Sequence, residues 1–89
     1  MIERDEDFKM IGLNEVPKTL NGYPVVLATI SMKCVTVMVD RSEKYAEQPF
    51  VVATWWPGLK ETWSWGHYCD SRKEAERVFQ DVLEMNETR

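Results

Sequence analysis

Residues 62–83, TWSWGHYCDSRKEAERVFQDVL, change period halfway, and that change decides the fold. Up to Cys69 large and small side chains alternate: Trp63, Trp65, His67 and Cys69 share one parity, and Thr62, Ser64, Gly66 and Tyr68 the other. A period of two belongs to a strand, which the spacing places over residues 61–69. From Ala75 onward, Val78, Phe79, Val82 and Leu83 recur at three- and four-residue steps, which makes one apolar stripe on a helix. Between the two patterns stands a helix start. Ser71 with Glu74 three residues on forms a capping box, and Asp70 is an alternative cap. Strand therefore passes to helix at residue 70, and residues 86–89 are expected to fray.

Working back from this junction, Phe50-Val-Val-Ala-Thr-Trp-Trp56 reads as a strand closed by Pro57-Gly58. Residues 40–49, DRSEKYAEQP, are polar and read as a loop. Residues 25–39, VVLATISMKCVTVMV, are rich in β-branched residues and longer than one ordinary strand, so they read as two strands broken near Ser31-Met32-Lys33, with a single long bent strand as the alternative. Val26, Ala28 and Ile30 then share one face of the first half, and Val35, Val37 and Val39 one face of the second. Asn21-Gly22 is a strong hairpin turn, because both residues tolerate positive φ, and Thr19-Leu20 with Tyr23-Pro24 reads as a brief pair leading into the main strand. Strands followed by one helix specify an α+β fold: an antiparallel four-stranded meander with the helix across one face. Residues 1–89 make a single domain, and the charged residues 1–7 are expected to fray.

One helix is ~10 Å wide against a strand spacing of ~4.8 Å, so it covers only part of such a sheet. The opposite face is expected to hold Val25, Leu27, Thr36 and Met38, with Phe8–Leu13 or another protein covering it.

Composition narrows the function. Ten aromatics in 89 residues, with 44% hydrophobic residues, are ample for a compact core. The net charge of −4 sits at the ends: residues 1–15 and 74–89 each hold five acids and two bases, against seven bases and five acids in residues 16–73. A stripe of cations for phosphate is missing, so direct nucleic-acid binding is disfavoured, and acidic ends suit a basic partner. No apolar run is long enough for a membrane span, and the opening residues are charged, which points to a cytoplasmic protein. Cys34 and Cys69 have no paired short spacing, as befits small buried side chains in a reducing compartment.

His67 and Cys69 are the chemistry candidates. Side chains two apart on a strand are ~6.5–7 Å apart, too far for a thiolate–imidazole hydrogen bond. As metal ligands they are a lone short pair where structural zinc sites use two. No catalytic residue, metal ligand or cofactor is therefore assigned. Trp55 and Trp56 lie on opposite faces of their strand, so one leaves the helix-side core. A partner-binding surface is assigned to Trp55, Trp56, Met38, Tyr68, Asp81 and Glu84.

Phe50-Val-Val-Ala-Thr-Trp, then Trp63-Ser-Trp65-Gly-His67-Tyr68 and a capped helix with Ala75 and Phe79, resembles small proteins of bacteriophages and mobile elements. The resemblance spans roughly residues 50–80 and carries no functional residue over. It implies an accessory protein of the class that includes anti-CRISPR inhibitors of host defence. The expected function is thus a non-enzymatic protein-binding module whose partner is a host nucleoprotein complex or a second copy, as a homodimer. A single-strand nucleic-acid binder with a tryptophan-rich sheet is the alternative, and a metal or enzyme site at His67 and Cys69 the third reading.

Overall fold

The computed structural model describes residues 12–88. Five strands are present: β1 (Thr19–Leu20), β2 (Tyr23–Ile30), β3 (Val35–Asp40), β4 (Phe50–Trp55) and β5 (Gly66–Cys69). One α-helix, α1 (Arg72–Glu87), follows, with short 3-10 turns at Leu13–Glu15 and Pro57–Leu59. The sheet is an antiparallel meander in the order β1-β2-β3-β4-β5. The α+β class and the meander thus match the sequence reading, with one strand more than expected. The extra strand is β1, the Thr19–Leu20 half of the brief pair read at the Asn21-Gly22 turn, and it joins β2 through Asn21 (φ 54°) and Gly22 (φ 85°), whose positive φ values close the tight turn.

The break in residues 25–39 falls at Ser31–Lys33, where strand length placed it, with the Ser31 N–H bonded to the Cys34 carbonyl at 2.8 Å. Alternation in β2 is interrupted, however, because Val26 is an extra residue between the pairs Val25–Val39 and Leu27–Met38. This bulge moves Val25, not Val26, onto the face shared by Ala28 and Ile30. Bulges strengthen local twist, and here the sheet curls. The β1–β2 turn reaches the chain ahead of β5, where the Asn21 N–H donates to the Glu61 carbonyl at 2.7 Å.

Curling gives the sheet two cores. Inside the curl, Leu20, Val35, Val37, Val39, Val51, Ala53 and Trp55 are buried, with Leu59 and Trp63 packed against them. On the outer face, Met38, Val52 and Cys69 meet Ala75, Phe79 and Val82 of α1. The expected face assignment is therefore corrected. Met38 and Thr36 lie under the helix, both 0% exposed, and Val25 packs inside the curl. The valine face needs no outside cover. Its cover is β1 and the Leu59–Trp63 loop. The expected covering segment Phe8–Leu13 falls, up to Ile11, outside the described residues, as do the expected frayed residues 1–7 and Arg89.

The last strand is shorter than its alternation suggested. Residues 61–65 are loop, so Trp63 crosses to the valine core while Cys69 faces the helix. A Cβ on Gly66 would stand 2.8 Å from Val51 Cγ1 and 2.9 Å from Trp63 Nε1, so the glycine makes room for the indole. At the helix start, Ser71 Oγ accepts the Glu74 N–H at 3.1 Å, and Glu74 Oε1 accepts the Asp70 N–H at 2.8 Å. The helix runs through residues 86–87, which were expected to fray. Asn86 holds this last turn down, donating from Nδ2 to Thr36 Oγ1 at 2.8 Å and Thr54 Oγ1 at 3.1 Å.

Candidate protein-binding surface

The polar stretch after β3 is built around Arg41. Its N–H donates to the Pro49 carbonyl at 2.6 Å, and its own carbonyl accepts the N–H groups of Lys44 (3.0 Å) and Tyr45 (2.8 Å). Its guanidinium Nη2 donates to the Gln48 carbonyl at 3.0 Å. Asp40 opens the loop by accepting the Ser42 N–H at 2.8 Å. The Ser42 hydroxyl and then its N–H hold the Asp40 carboxyl below the ordinary carboxylate value.

This loop geometry gathers all three tyrosines of the chain. The Arg41 Cζ stands 4.2 Å from the Tyr45 ring centroid and 4.7 Å from that of Tyr68. Tyr23 meets Tyr45 edge to face, with centroids 6.3 Å apart and planes at 66°. Tyr68 sits opposite Val51 on β4, so the cluster crowns the curl. Cation–π contact contributes about 0.5–2 kcal/mol per pair, which fixes the guanidinium between two rings. Arg41 Nε is buried with no hydrogen-bond partner, so the π faces stand in for an acceptor. Tyr45 and Tyr68 remain 43% and 44% exposed. The result is an ordered, half-exposed patch of amphipathic side chains.

A second concavity lies on the helix side. Ser31, Met32, Thr54, Trp56, Asn86 and Glu87 line a groove of about 620 Å³ between the β2–β3 turn and the end of α1. The Asn86–Thr36–Thr54 hydrogen bonds run beneath it.

Of the six residues assigned to partner contact, two have no surface to offer. Met38 (0% exposed) is under α1, and Trp55 (1%) is in the valine core, with Nε1 donating to the Lys60 carbonyl at 2.7 Å. Strand parity did place Trp55 and Trp56 on opposite faces, and Trp56 is the exposed one. Tyr68 belongs to the arginine cluster, whereas Trp56 lines the groove, on the other face and toward the other end of β4. Asp81 and Glu84 are on the solvent side of α1, Asp81 within 3.8 Å of Arg77. The six therefore do not form one surface. Arg41, Tyr23 and Tyr45 were missed, because a polar loop gives no period by which to place its side chains. The one available signal was composition: an arginine and a tyrosine four residues apart in a stretch otherwise suited to solvent.

His67 and Cys69 share the helix-side face of β5, but they diverge in burial. His67 is exposed, and Cys69 is buried with Sγ–H directed at the His67 carbonyl at 3.5 Å. Burial, then the Glu74 and Asp70 carboxylates, push the Cys69 thiol up, which disfavours the thiolate. Cys34 precedes β3 at the opposite end of the sheet, and no disulfide joins the two cysteines. Among the described residues no group of three His, Cys, Asp or Glu could hold a metal ion. Nor is any helix among them long and apolar enough to cross a membrane. No family model, no curated protein and no solved structure matches this chain.

Proposed function

We propose that the chain is a non-enzymatic protein-binding module whose partner docks on Arg41, Tyr45, Tyr68 and Tyr23. The observation that carries this reading is the guanidinium held between two half-exposed tyrosines. Tyrosine and arginine are enriched among residues that dominate binding energy, since each buries a large area with few rotatable bonds or a planar donor array. Ordering them in the free protein removes part of the entropy cost of association. The depressed thiolate character of Cys69 and the solvated His67 supply no nucleophile and base pair for a competing catalytic reading. A partner within a host defence complex rests on the phage-protein resemblance alone. Single-strand binding is less favoured, because the exposed Trp65 and Trp56 occupy separate places and the net charge is −4.

The test is comparative capture from a host lysate with wild type, Tyr45→Ala/Tyr68→Ala and Trp56→Ala, all checked for native circular dichroism. A protein retained by wild type and Trp56→Ala but lost by the tyrosine pair supports the reading. Retention by all three, or tight salt-sensitive binding to single strands without a protein partner, overturns it.

A further inference from the structure

We infer that the Arg41 cluster receives an aspartate or glutamate side chain of the protein partner, with the unused edge of the guanidinium as donor. The inference rests on the protein-binding reading and names the chemistry that the surface would recognise. Arg41 is a cation held only by neutral groups. Its Cζ lies over the Tyr45 and Tyr68 rings, and Nη2 donates to the Gln48 carbonyl at 3.0 Å. Among the described residues no carboxylate comes within ion-pair distance of it, whereas Arg72 is paired with Glu76 and Arg77 with Asp81. Nε is the buried nitrogen. Nη1, which has no hydrogen bond among the described residues, is the one left to meet solvent. A carboxylate suits such an edge, because its oxygens match the planar spacing of guanidinium donors.

Local charge selects a carboxylate over a phosphate. The concavity beside Arg41 has a volume of about 270 Å³, and its charged lining is Arg41, Lys44 and Glu47, two cations against one acid. One carboxylate neutralises that balance. A phosphoryl group, at about −1.5 to −2 near neutral pH, would leave excess negative charge facing Glu47. Asp40 and Glu43 line a separate hollow beside Tyr23, so an acidic side chain is directed to the Tyr45 side. The net charge of −4 does not oppose this locally, since it comes from the chain ends. Residues 16–73, which carry all four members of the cluster, hold seven bases and five acids. Order favours the contact as well. Folding has already taken Nε out of water and set the side chain between two rings, so the carboxylate meets a donor that has little hydration or rotamer freedom left to lose. The half-exposed rings also keep water from the pair, which strengthens it.

Nuclear magnetic resonance titration of the full chain tests the proposal. The probe is an acetylated and amidated glycine–glutamate–glycine tripeptide, whose only charge is the side chain, at millimolar concentration. The matching glutamine tripeptide and inorganic phosphate are the comparison arms. The glutamate peptide should shift the Arg41 Nε–H and the Tyr45 ring resonances saturably, and bind about tenfold more tightly than either comparison. Arg41→Lys keeps the charge but loses the planar donor edge, and should weaken the peptide about tenfold. Lys44→Gln, which leaves the rings and Arg41 in place, should weaken it about threefold and serves if Arg41→Lys does not fold. No shift at Arg41 with the glutamate peptide, or equal binding of the glutamine peptide or phosphate, overturns the inference and leaves the protein-binding reading to the capture experiment. Carboxylate binding at Arg41 with capture indifferent to Tyr45→Ala/Tyr68→Ala overturns the protein-binding reading instead, so the two failures are distinguishable.

Discussion

Asn86→Ala tests how the end of the helix is fastened. Asn86 is 5% exposed, and its amide is the partner of two threonine hydroxyls, one on β3 and one on β4. Thr36 is 0% exposed, so removing the amide strands its hydroxyl away from water, at a cost of about 1–3 kcal/mol. Thr54 is half-buried and beside the groove, so it recovers some hydration and loses less. Together the loss is about 2–4 kcal/mol. An 89-residue domain has a total stability of about 4–13 kcal/mol, so the effect is large. Urea unfolding followed by tryptophan fluorescence measures it, with the slope against denaturant unchanged. The decisive arm is Thr36→Val/Thr54→Val. In the wild-type background this pair strands the Asn86 amide and destabilises, whereas in the Asn86→Ala background it removes two orphaned hydroxyls and stabilises. The same sign in both backgrounds, or an Asn86→Ala variant within about 0.5 kcal/mol of wild type, would refute the network as the fastening.

Phe79→Ala empties the centre of the helix-side core and should cost about 3–5 kcal/mol by urea unfolding; a near-neutral value would mean that α1 does not dock. Gly66→Ala drives a methyl to within 2.8 Å of Val51 and 2.9 Å of Trp63, neither with a flexible tip to move, so a loss of about 1–3 kcal/mol is expected in thermal melts. The folded Asp40 carboxyl titrates below its value of 3.8 in a free chain, so the stability it lends is present above that pH and disappears as pH falls through the folded value. Asp40→Asn should flatten the acid limb of the stability–pH curve between those two values, and an unchanged limb would contradict the role given to Ser42.

Local chemistry made most of the secondary structure legible. Ser71 and Glu74 mark the helix start, the 3.6-residue stripe from Ala75 to Leu83 its buried face, and Asn21-Gly22 a turn that only residues tolerant of positive φ can make. Each of these signals is carried within a few residues, so each is readable without the fold. What the sheet does in three dimensions was not readable. A single bulge at Val26 shifts every side chain before it relative to every side chain after it, and sequence periodicity has no mark for that. Which face of the sheet receives the helix is likewise a matter of how the chain leaves Cys69. Hence Met38 and Trp55, plausible anchors by pattern, are buried in two different cores. The Arg41 cluster depends on it further. Residues 23, 41, 45 and 68 meet only because the meander curls and a polar loop folds back on its own arginine. Period and capping act over one turn or one strand, whereas the surface a partner would meet is set by sheet twist and loop closure.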